Sequence, residues 1–594
     1  MVSLYIMGAL GAPRRGAVVR DYRFGVVAGM GVCARFRFVL CLSLVGMAGG
    51  NALAAPVTVP GAVQPGHERQ LPQPSPVAPS VDFSIVAPQR SPVPRDVDQI
   101  HFKLRGIKIE GAVTIPADTF RPLYENLVGR DITLSDILGV ADGIEKAYRE
   151  RGYLLVRAYV PPQHVSDGIF MIRVVEGFVS DVTVEGAPAA TQELIRDYLA
   201  PLRQEKPLRL PTIERGMLLA NDIPGVSASG VLRPSPDVPG ASELLVSVDE
   251  PEISGSLSTD NRGSHFTGIW SVTGTAEYNS IFGADALDAS LTDSPHSNEQ
   301  IGGQLRYRTA IGSDGLIGSL VGAVSHGSPG SYLSSIFNLK TDSWAVGPRL
   351  TYPLIRSRAD SLSIDGGFTV QDAQLKGFGI ASHDKWRVLD VALTYSGNGV
   401  LGGSFESTVD VAQGLPILGA TPNDSPQISQ GGKTDFTKLT GLARYTAQLS
   451  DSPFGIALTG QGQYAFEPLI TGEQILFGGT QIGRGYDPGA ITGDSGAGGS
   501  IELRYNTHVP ELSIQGLQPY AFFDAAETWY RHRPAALGGS LSGFSIESAG
   551  AGLRFWFPYN IYWDVEVART LKAVPGSDGG STTTKFLTDL TISF

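Results

Sequence analysis

Arg484 is a cation whose setting suggests a fixed task. It stands in the stretch Ile482-Gly483-Arg484-Gly485-Tyr486-Asp487-Pro488-Gly489. Glycines on both sides allow tight backbone conformations, so one long cationic side chain can project from a compact loop tip. If that tip is buried, the guanidinium needs a carboxylate, because an unpaired buried charge costs several kcal/mol. An exposed turn can carry the same residues, so the surroundings decide. No catalytic constellation competes for attention. The histidines, from His67 and His101 to His508 and His532, are scattered and form no ligand-like pair at helical spacing. The serine-rich late connections lack a nucleophile elbow. Gly478-Gly479-Thr480-Gln481-Ile482 is glycine-rich, but no Lys-Ser or Lys-Thr follows, so a phosphate loop is not supported. The expectation is therefore no enzyme activity, no metal and no cofactor. A net charge of −12 argues against nucleic acid as a partner.

The elements that must position Arg484 come from residue 251 onward. About sixteen segments alternate apolar and polar residues, as at 270–279, 300–310, 344–352, 438–449 and 519–526. Near the end, Ile561, Trp563, Val565 and Val567 alternate with Tyr562, Asp564 and Glu566. One apolar face for lipid and one polar face for a lumen is the pattern of an outer-membrane β-barrel. The connections alternate long and short; before the fifth segment, where two outer ones fall, the contrast is weak, and after it 327–343, 373–385, 415–435, 467–499, 530–545 and 570–583 read as the outer ones. Arg484 then falls in the sixth and longest. Tyr559, Tyr562 and Trp563 read as anchors at the membrane interface. No stretch reaches the ~20 apolar residues of a spanning helix, and a membrane protein without spanning helices must be a closed barrel. The last strand places Phe586, Leu590, Ile592 and the terminal Phe594 on one face.

Upstream, residues 1–55 read as a signal peptide. Arg35 and Arg37 flank an apolar core at 38–48, and Ala52-Leu53-Ala54 gives a small-residue cleavage pattern. Met30 is an alternative start. Cleavage after Ala54 or Ala55 removes Cys33 and Cys41, the chain's two cysteines, so no disulfide is expected in the mature protein. Residues 56–99 form a proline-rich linker. Two repeated α/β units follow, at 100–177 and 178–250. Ile107-Lys108-Ile109-Glu110-Gly111 recurs as Val182-Thr183-Val184-Glu185-Gly186. Each starts a β-α-α-β-β order whose sheet keeps an open edge that can accept an extended peptide. Leu134, Ile137, Leu138, Ala141, Ile144 and Tyr148 share a helical face, with Thr133 as N-cap and Asp136 three residues on.

These motifs carry a resemblance. Tyr148-Arg149-Glu150-Arg151-Gly152-Tyr153, Ala158-Tyr159-Val160-Pro161-Pro162-Gln163 and Val174-Val175-Glu176-Gly177 resemble the first POTRA domain of two-partner secretion outer-membrane transporters (TpsB type, haemolysin/haemagglutinin secretion-like). Asn221-Asp222-Ile223-Pro224-Gly225 resembles the second. Residues 483–486 are similar to that family's loop-six motif, usually Val-Arg-Gly-Tyr, with Gly483 in place of valine. In the family the loop folds back into the lumen, and its arginine meets an aspartate of a Phe-x-Asp motif on the thirteenth strand. Phe522-Phe523-Asp524 fits that motif, so Asp524 is the expected partner and Phe522 its companion. Phe594 resembles the terminal aromatic read by the outer-membrane assembly machinery.

The resemblance implies two periplasmic POTRA domains and a barrel at 251–594. It implies transport of an unfolded exoprotein, adhesin- or haemolysin-like with an N-terminal secretion domain, to the cell surface without ATP. The expected partners are that exoprotein, outer-membrane lipid and the assembly machinery. The alternatives are an insertase of the same superfamily, which typically carries more POTRA units, and a porin-like channel, which carries none.

Overall fold

The computed structural model describes residues 82–85, 100–165, 167–295, 300–328, 339–377, 380–509, 514–532, 543–574 and 581–594. The expected leader and most of the proline-rich linker lie outside them. All of the described residues belong to one unit, Pro56–Phe594.

In the first α/β unit, Gly106–Glu110 pairs in parallel with the central strand Ile169–Glu176, whose other neighbour is the antiparallel strand Val156–Tyr159. One α-helix, Leu134–Glu150, covers this sheet with Ile137, Val140, Ala141, Ile144 and Tyr148. Thr133 and Asp136 form a reciprocal capping box at its start. The expected first helix of this unit is instead two 3-10 segments, Ala117–Leu123 and Glu125–Leu127. Pro116 and Pro122 flank and interrupt that stretch, and proline supplies no N–H for a longer ladder.

The Glu-Gly end of the central strand has a local explanation. Glu176 accepts from the backbone of Val113 and Thr114, from the Thr114 hydroxyl, and from the Tyr148 hydroxyl at 2.6 Å. It ties the first strand's exit loop to the helix. Burial alone would raise its pKa, but these donors outweigh burial and hold the carboxyl below its usual range.

The second unit has two α-helices, Ala189–Gln204 and Leu210–Asp222, on a sheet of Phe178–Glu185, Ala241–Asp249 and Ser227–Pro234. A fourth strand, Asp82–Ile85, comes from the proline-rich linker and pairs in parallel with Ser227–Pro234. This part of the linker is thus built into a sheet.

Sixteen antiparallel strands close the barrel, from Ile253–Asp260 to Thr584–Ser593; Thr507–Val509 continues the twelfth, Ser495–Tyr505. The first and last strands meet over a short register, Ser256–Asp260 against Asp589–Ser593. Alternation sets the faces. On the thirteenth strand, Ile514–Trp529, Phe523 is 44% exposed while Phe522 and Asp524 are buried. Two readings of the sequence are corrected. The expected outer connection 373–385 is mostly hairpin, with Lys376 paired to Ala381. Glycine and charged residues there resemble a loop in sequence, yet both are admissible on the lumen face of a strand. Tyr562 shares its face with Asp564 and Glu566 and packs on Trp556 at 5.6 Å, so it faces the lumen rather than anchoring in lipid.

The second unit docks on the barrel's short turns. Asp222 accepts two hydrogen bonds from Arg356, and Glu214 pairs with Arg358. Gly225 has φ +75°, and a Cβ there would lie 2.2 Å from Asn279 of the barrel. The motif Asn221-Asp222-Ile223-Pro224-Gly225 is therefore a joint: Asn221 bonds Ala228 and Met217, Asp222 holds Arg356, and Gly225 permits contact.

Glu176→Gln is expected to destabilise the first unit by about 1.5–3 kcal/mol, the range for hydrogen bonds to a charged group, measured by pulse proteolysis. Because the folded pKa is depressed, the carboxylate's contribution is present at neutral pH and lost as pH falls through the folded value. The gap between wild type and variant should therefore shrink below about pH 4. A gap independent of pH would assign the effect to packing.

Candidate functional site

The sixth outer connection is a folded element. It leaves the eleventh strand, Phe454–Ala465, and forms a small hairpin, Ile475–Phe477 against Ile491–Gly493. Ile475, Phe477, Ile482, Tyr486 and Ile491 pack with Ala526, Ile546 and Val574 in one apolar cluster. Residues 478–490 form the tip, which lies against the inner faces of strands twelve to fifteen.

Glycine makes the tip possible at two positions. Gly478 has φ +110°, and a Cβ there would meet the Asp487 carbonyl oxygen at 2.2 Å. Gly483, where the family usually has valine, has φ +89°, and a Cβ would lie 2.5 Å from Ile546. A β-branched residue is strained in that conformation. Gly483 instead brings its N–H to Asp524 Oδ2 at 3.1 Å. The backbone N–H of Arg484 reaches the same oxygen at 3.0 Å.

The Arg484 side chain then closes a two-pronged contact on Asp524, Nε to Oδ2 at 3.1 Å and Nη2 to Oδ1 at 2.9 Å. Such a fork fixes direction as well as charge. Its other donors reach Glu502 at 2.9 Å and the Ser500 hydroxyl at 3.0 Å, with Glu566 at 3.6 Å. The guanidinium stacks on the Phe522 ring, 3.4 Å from its centroid. Arg484 is 6% exposed and Asp524 0%. At that burial the pair interacts far more strongly than at a surface, but it also demands complete satisfaction of its donors and acceptors. Ser548 supplies a further donor to Asp524.

Around this fork lies a larger network that the sequence motifs do not include. Glu502 also accepts from Arg554 and Arg504, each at 2.6 Å. Arg262 pairs with Glu566 and Asp564, and Arg554 approaches Asp564 at 3.5 Å. Tyr520 donates to Glu566 at 2.7 Å and carries Arg554 on its ring. The guanidiniums of Arg262, Arg484, Arg504 and Arg554 thus face the carboxylates of Glu502, Asp524, Asp564 and Glu566, so these charges cancel within one patch. Room for the rings comes from Gly550 and Gly552, where a Cβ would meet Phe522 or Tyr520 at 2.5 Å. A period-two reading of Ser500, Glu502 and Arg504 against Tyr520, Phe522 and Asp524 carries the signal for Glu502, which a search for motifs overlooks.

The remaining expected residues fall as follows. Gly485 approaches the backbone of Arg569 and Thr570, where a Cβ would stand at 3.0 Å. Tyr486 sends its hydroxyl between the fourteenth and fifteenth strands' outer ends, donating to the Lys572 carbonyl at 2.7 Å. Asp487 pairs with His265 and Lys585, so the tip also reaches the first connection and the last strand. A cavity of about 260 Å³ opens there beside Arg262 and Leu587. Phe594 lies apart from the tip. It exchanges backbone hydrogen bonds with Gly255 at 2.9 Å and is 72% exposed on the lipid face.

Comparison with known proteins follows this geometry. Residues 240–554 match the family described as haemolysin secretion/activation protein ShlB/FhaC/HecB, and residues 102–177 match the POTRA domain of ShlB type. The heme/hemopexin transporter protein HuxB of Haemophilus influenzae (strain 86-028NP) is 24% identical, over 77% of this chain and 81% of that one. The outer membrane transporter CdiB-2 of Burkholderia pseudomallei (strain 1026b) is 25% identical, over 75% and 76%. Among solved structures, CdiB from Escherichia coli superposes with a TM-score of 0.64 at 20% identity, covering 86% of this chain and 93% of that one. BamA from Haemophilus ducreyi lacking POTRA domains 1–3 reaches a TM-score of 0.50 at 14% identity, covering 83% and 100%.

Arg484→Ala is expected to lower hydrogen-exchange protection of residues 478–490 by about 3–5 kcal/mol, the cost of removing one partner from a buried ion pair. Arg484→Lys keeps the charge without the fork and should fall between. Unchanged protection would mean that Tyr486 and the apolar cluster alone seat the tip.

Proposed function

The chain belongs to the haemolysin secretion/activation family ShlB/FhaC/HecB, and from that premise we propose how its parts divide the work. It is an outer-membrane β-barrel transporter of a secreted partner protein, with its POTRA region in the periplasm. Its family is one of transporters rather than an enzyme class, and our reading assigns the chain no catalysis. The insertase alternative rests on a likeness of fold alone. A porin would not carry the POTRA match.

In our reading, residues 100–177 and 178–250 are two POTRA domains that receive an unfolded exoprotein through its N-terminal secretion domain. Two relatives bear the names heme/hemopexin transporter and hemolysin transporter, and a large adhesin- or haemolysin-like exoprotein is the partner class we propose here. The barrel, residues 251–594, sits in outer-membrane lipid through faces such as Leu257, Leu305 and Phe523. Its last strand, ending at Phe594, is read by the assembly machinery during biogenesis. The periplasm holds no ATP, so folding of the partner outside drives the passage in one direction.

The observation that carries this mechanism is the Arg484–Asp524 fork. A connection between strands is drawn inward and its tip held on the wall by a desolvated, two-pronged ion pair. We propose that this contact sets the working position of the loop during transport, with Gly483, Gly485 and Tyr486 shaping the tip and Phe522 stacking on the cation. The plainer alternative is a structural brace that never releases.

The test is secretion of a co-expressed exoprotein of that class, carrying an N-terminal secretion domain, measured per folded barrel. Arg484→Ala and Asp524→Ala should each reduce it about ten-fold or more, and the double variant should be little worse, as for residues acting as one unit. The barrels should still assemble, because closure runs through backbone hydrogen bonds. Near-normal secretion by both single variants would leave the fork as a brace.

A further inference from the structure

The turn between the second and third barrel strands is set into the second α/β unit. Ala284 packs in that unit's apolar cluster, and a Cβ on Gly283 would stand 2.5 Å from Ala190. Thr191, in the first turn of helix Ala189–Gln204, accepts from the Ala284 N–H at 3.3 Å. Its hydroxyl lies 3.5 Å from the carboxyl of Glu250, on the segment that crosses from the unit to the barrel. The Asn279 side chain donates to the carbonyl of Pro251, the residue after Glu250, at 2.9 Å. Helix, crossing segment and barrel turn therefore meet around Glu250.

The polar atoms gathered there are left unanswered. Glu250 Oε2, Asn279 Oδ1 and Ser280 Oγ are buried, and none has a hydrogen-bond partner among the described residues. Asn279 is 2% exposed. Ser280 lies beside the Glu250 carboxyl without the geometry of a hydrogen bond. Buried polar atoms are nearly always paired, so a group of orphans calls for a ligand or a trapped water.

The charges decide between these. Asp285 is fully buried, and its negative charge bears on Glu250. The Asp285 oxygens are held by the Phe282 N–H and by the Tyr307 hydroxyl at 2.6 Å, which are neutral donors. Elsewhere at this joint Asp222 and Glu214 hold Arg356 and Arg358. Neither Glu250 nor Asp285 has an ion pair among the described residues. Burial, joined by the Asp285 charge, pushes the Glu250 carboxyl above its usual range against the pull of the Ser280 and Thr191 hydroxyls. The positive end of the helix contributes only about half an elementary charge. A water would answer the orphan atoms and leave the charge uncompensated.

We propose that Glu250, Asn279 Oδ1 and Ser280, with the Thr191 hydroxyl beside them, hold a hard divalent cation of the calcium class, and that Asp285 adds the second negative charge. The donors are carboxylate, amide and hydroxyl oxygens, which suit calcium and do not suit metals that seek nitrogen or sulfur. Calcium accepts irregular geometry and fills its shell with water, whereas magnesium demands a near-ideal octahedron. The cation joins the second unit's helix to the crossing segment and the barrel turn. It therefore pins the unit to the barrel at a point separate from the two arginine pairs.

The experiment uses the full-length transporter in non-ionic detergent, freed of lipopolysaccharide, stripped with EDTA and titrated with calcium chloride alone. Calorimetry should show binding with a Kd of about 10⁻⁴–10⁻³ M, the range of extracellular calcium modules. At ten times that Kd, hydrogen exchange of residues 279–285 and of the first turn of Ala189–Gln204 should slow about ten-fold relative to EDTA. Glu250→Gln should remove the slowing and weaken binding. Glu252→Gln changes a neighbouring carboxylate that is bonded instead to the Tyr278 hydroxyl at 3.0 Å, and should alter neither. Ser280→Asp places a further carboxylate at φ +60°, a conformation aspartate tolerates, and should tighten binding. This variant keeps the test open if Glu250→Gln does not fold. Exchange that is the same in EDTA and in calcium would overturn the site and assign the orphan atoms to buried water. Calcium binding that Ser280→Asp fails to tighten would overturn it too. Both readouts are independent of transport, so a failure here is distinct from a failure of the transport reading.

Discussion

A guanidinium removed from water must have all its donors answered, and this constraint organises the barrel interior. Arg484 is served by Asp524, Glu502, Ser500 and the face of Phe522. Each requirement propagates. Glu502, once buried beside Arg484, takes Arg504 and Arg554 as further partners. Arg554 then needs Tyr520 and Asp564, and the Tyr520 ring needs the space above Gly552. The inner faces of strands twelve to fifteen are thereby committed to one connected arrangement. A half-satisfied version would be worse than an apolar wall.

The same constraint explains why the sixth connection is ordered. A free glycine-rich loop of this length has a large entropy to lose on fixation. The backbone donors of Gly483 and Arg484, the fork and the Tyr486 hydroxyl fix the tip, and the small hairpin supports it from behind. Gly483 is the telling position. Here glycine gives up the packing of a valine and gains a positive φ that aims an N–H at Asp524.

At the periplasmic end the forces are of another kind. The joint between the second α/β unit and the barrel combines two arginine–carboxylate pairs with the close approach of Gly225 to Asn279. Phe83 joins the linker to that same joint. Elements far apart in sequence thus share one small contact region.

Much of this was legible in the residues. Period-two alternation determines which side chains face lipid and which face the lumen, and closure follows because unpaired edges are not tolerated in hydrocarbon. The duplicated Glu-Gly strands and the Thr133–Asp136 cap are local chemistry, and local chemistry is written in local sequence. The full length of the seventh and eighth strands is not legible in the same way, because glycine and charge look like a loop in sequence, yet both are admissible on a lumen face. What only the tertiary structure decided is who meets whom across the chain. Glu502 joins Arg484 because staggered strands bring distant residues to one inner patch. Asp82–Ile85 finds Ser227–Pro234 because an unpaired strand edge accepts any compatible extended segment within reach. Backbone pairing of that kind depends on position in space, and a proline-rich stretch carries little mark of it in its side chains.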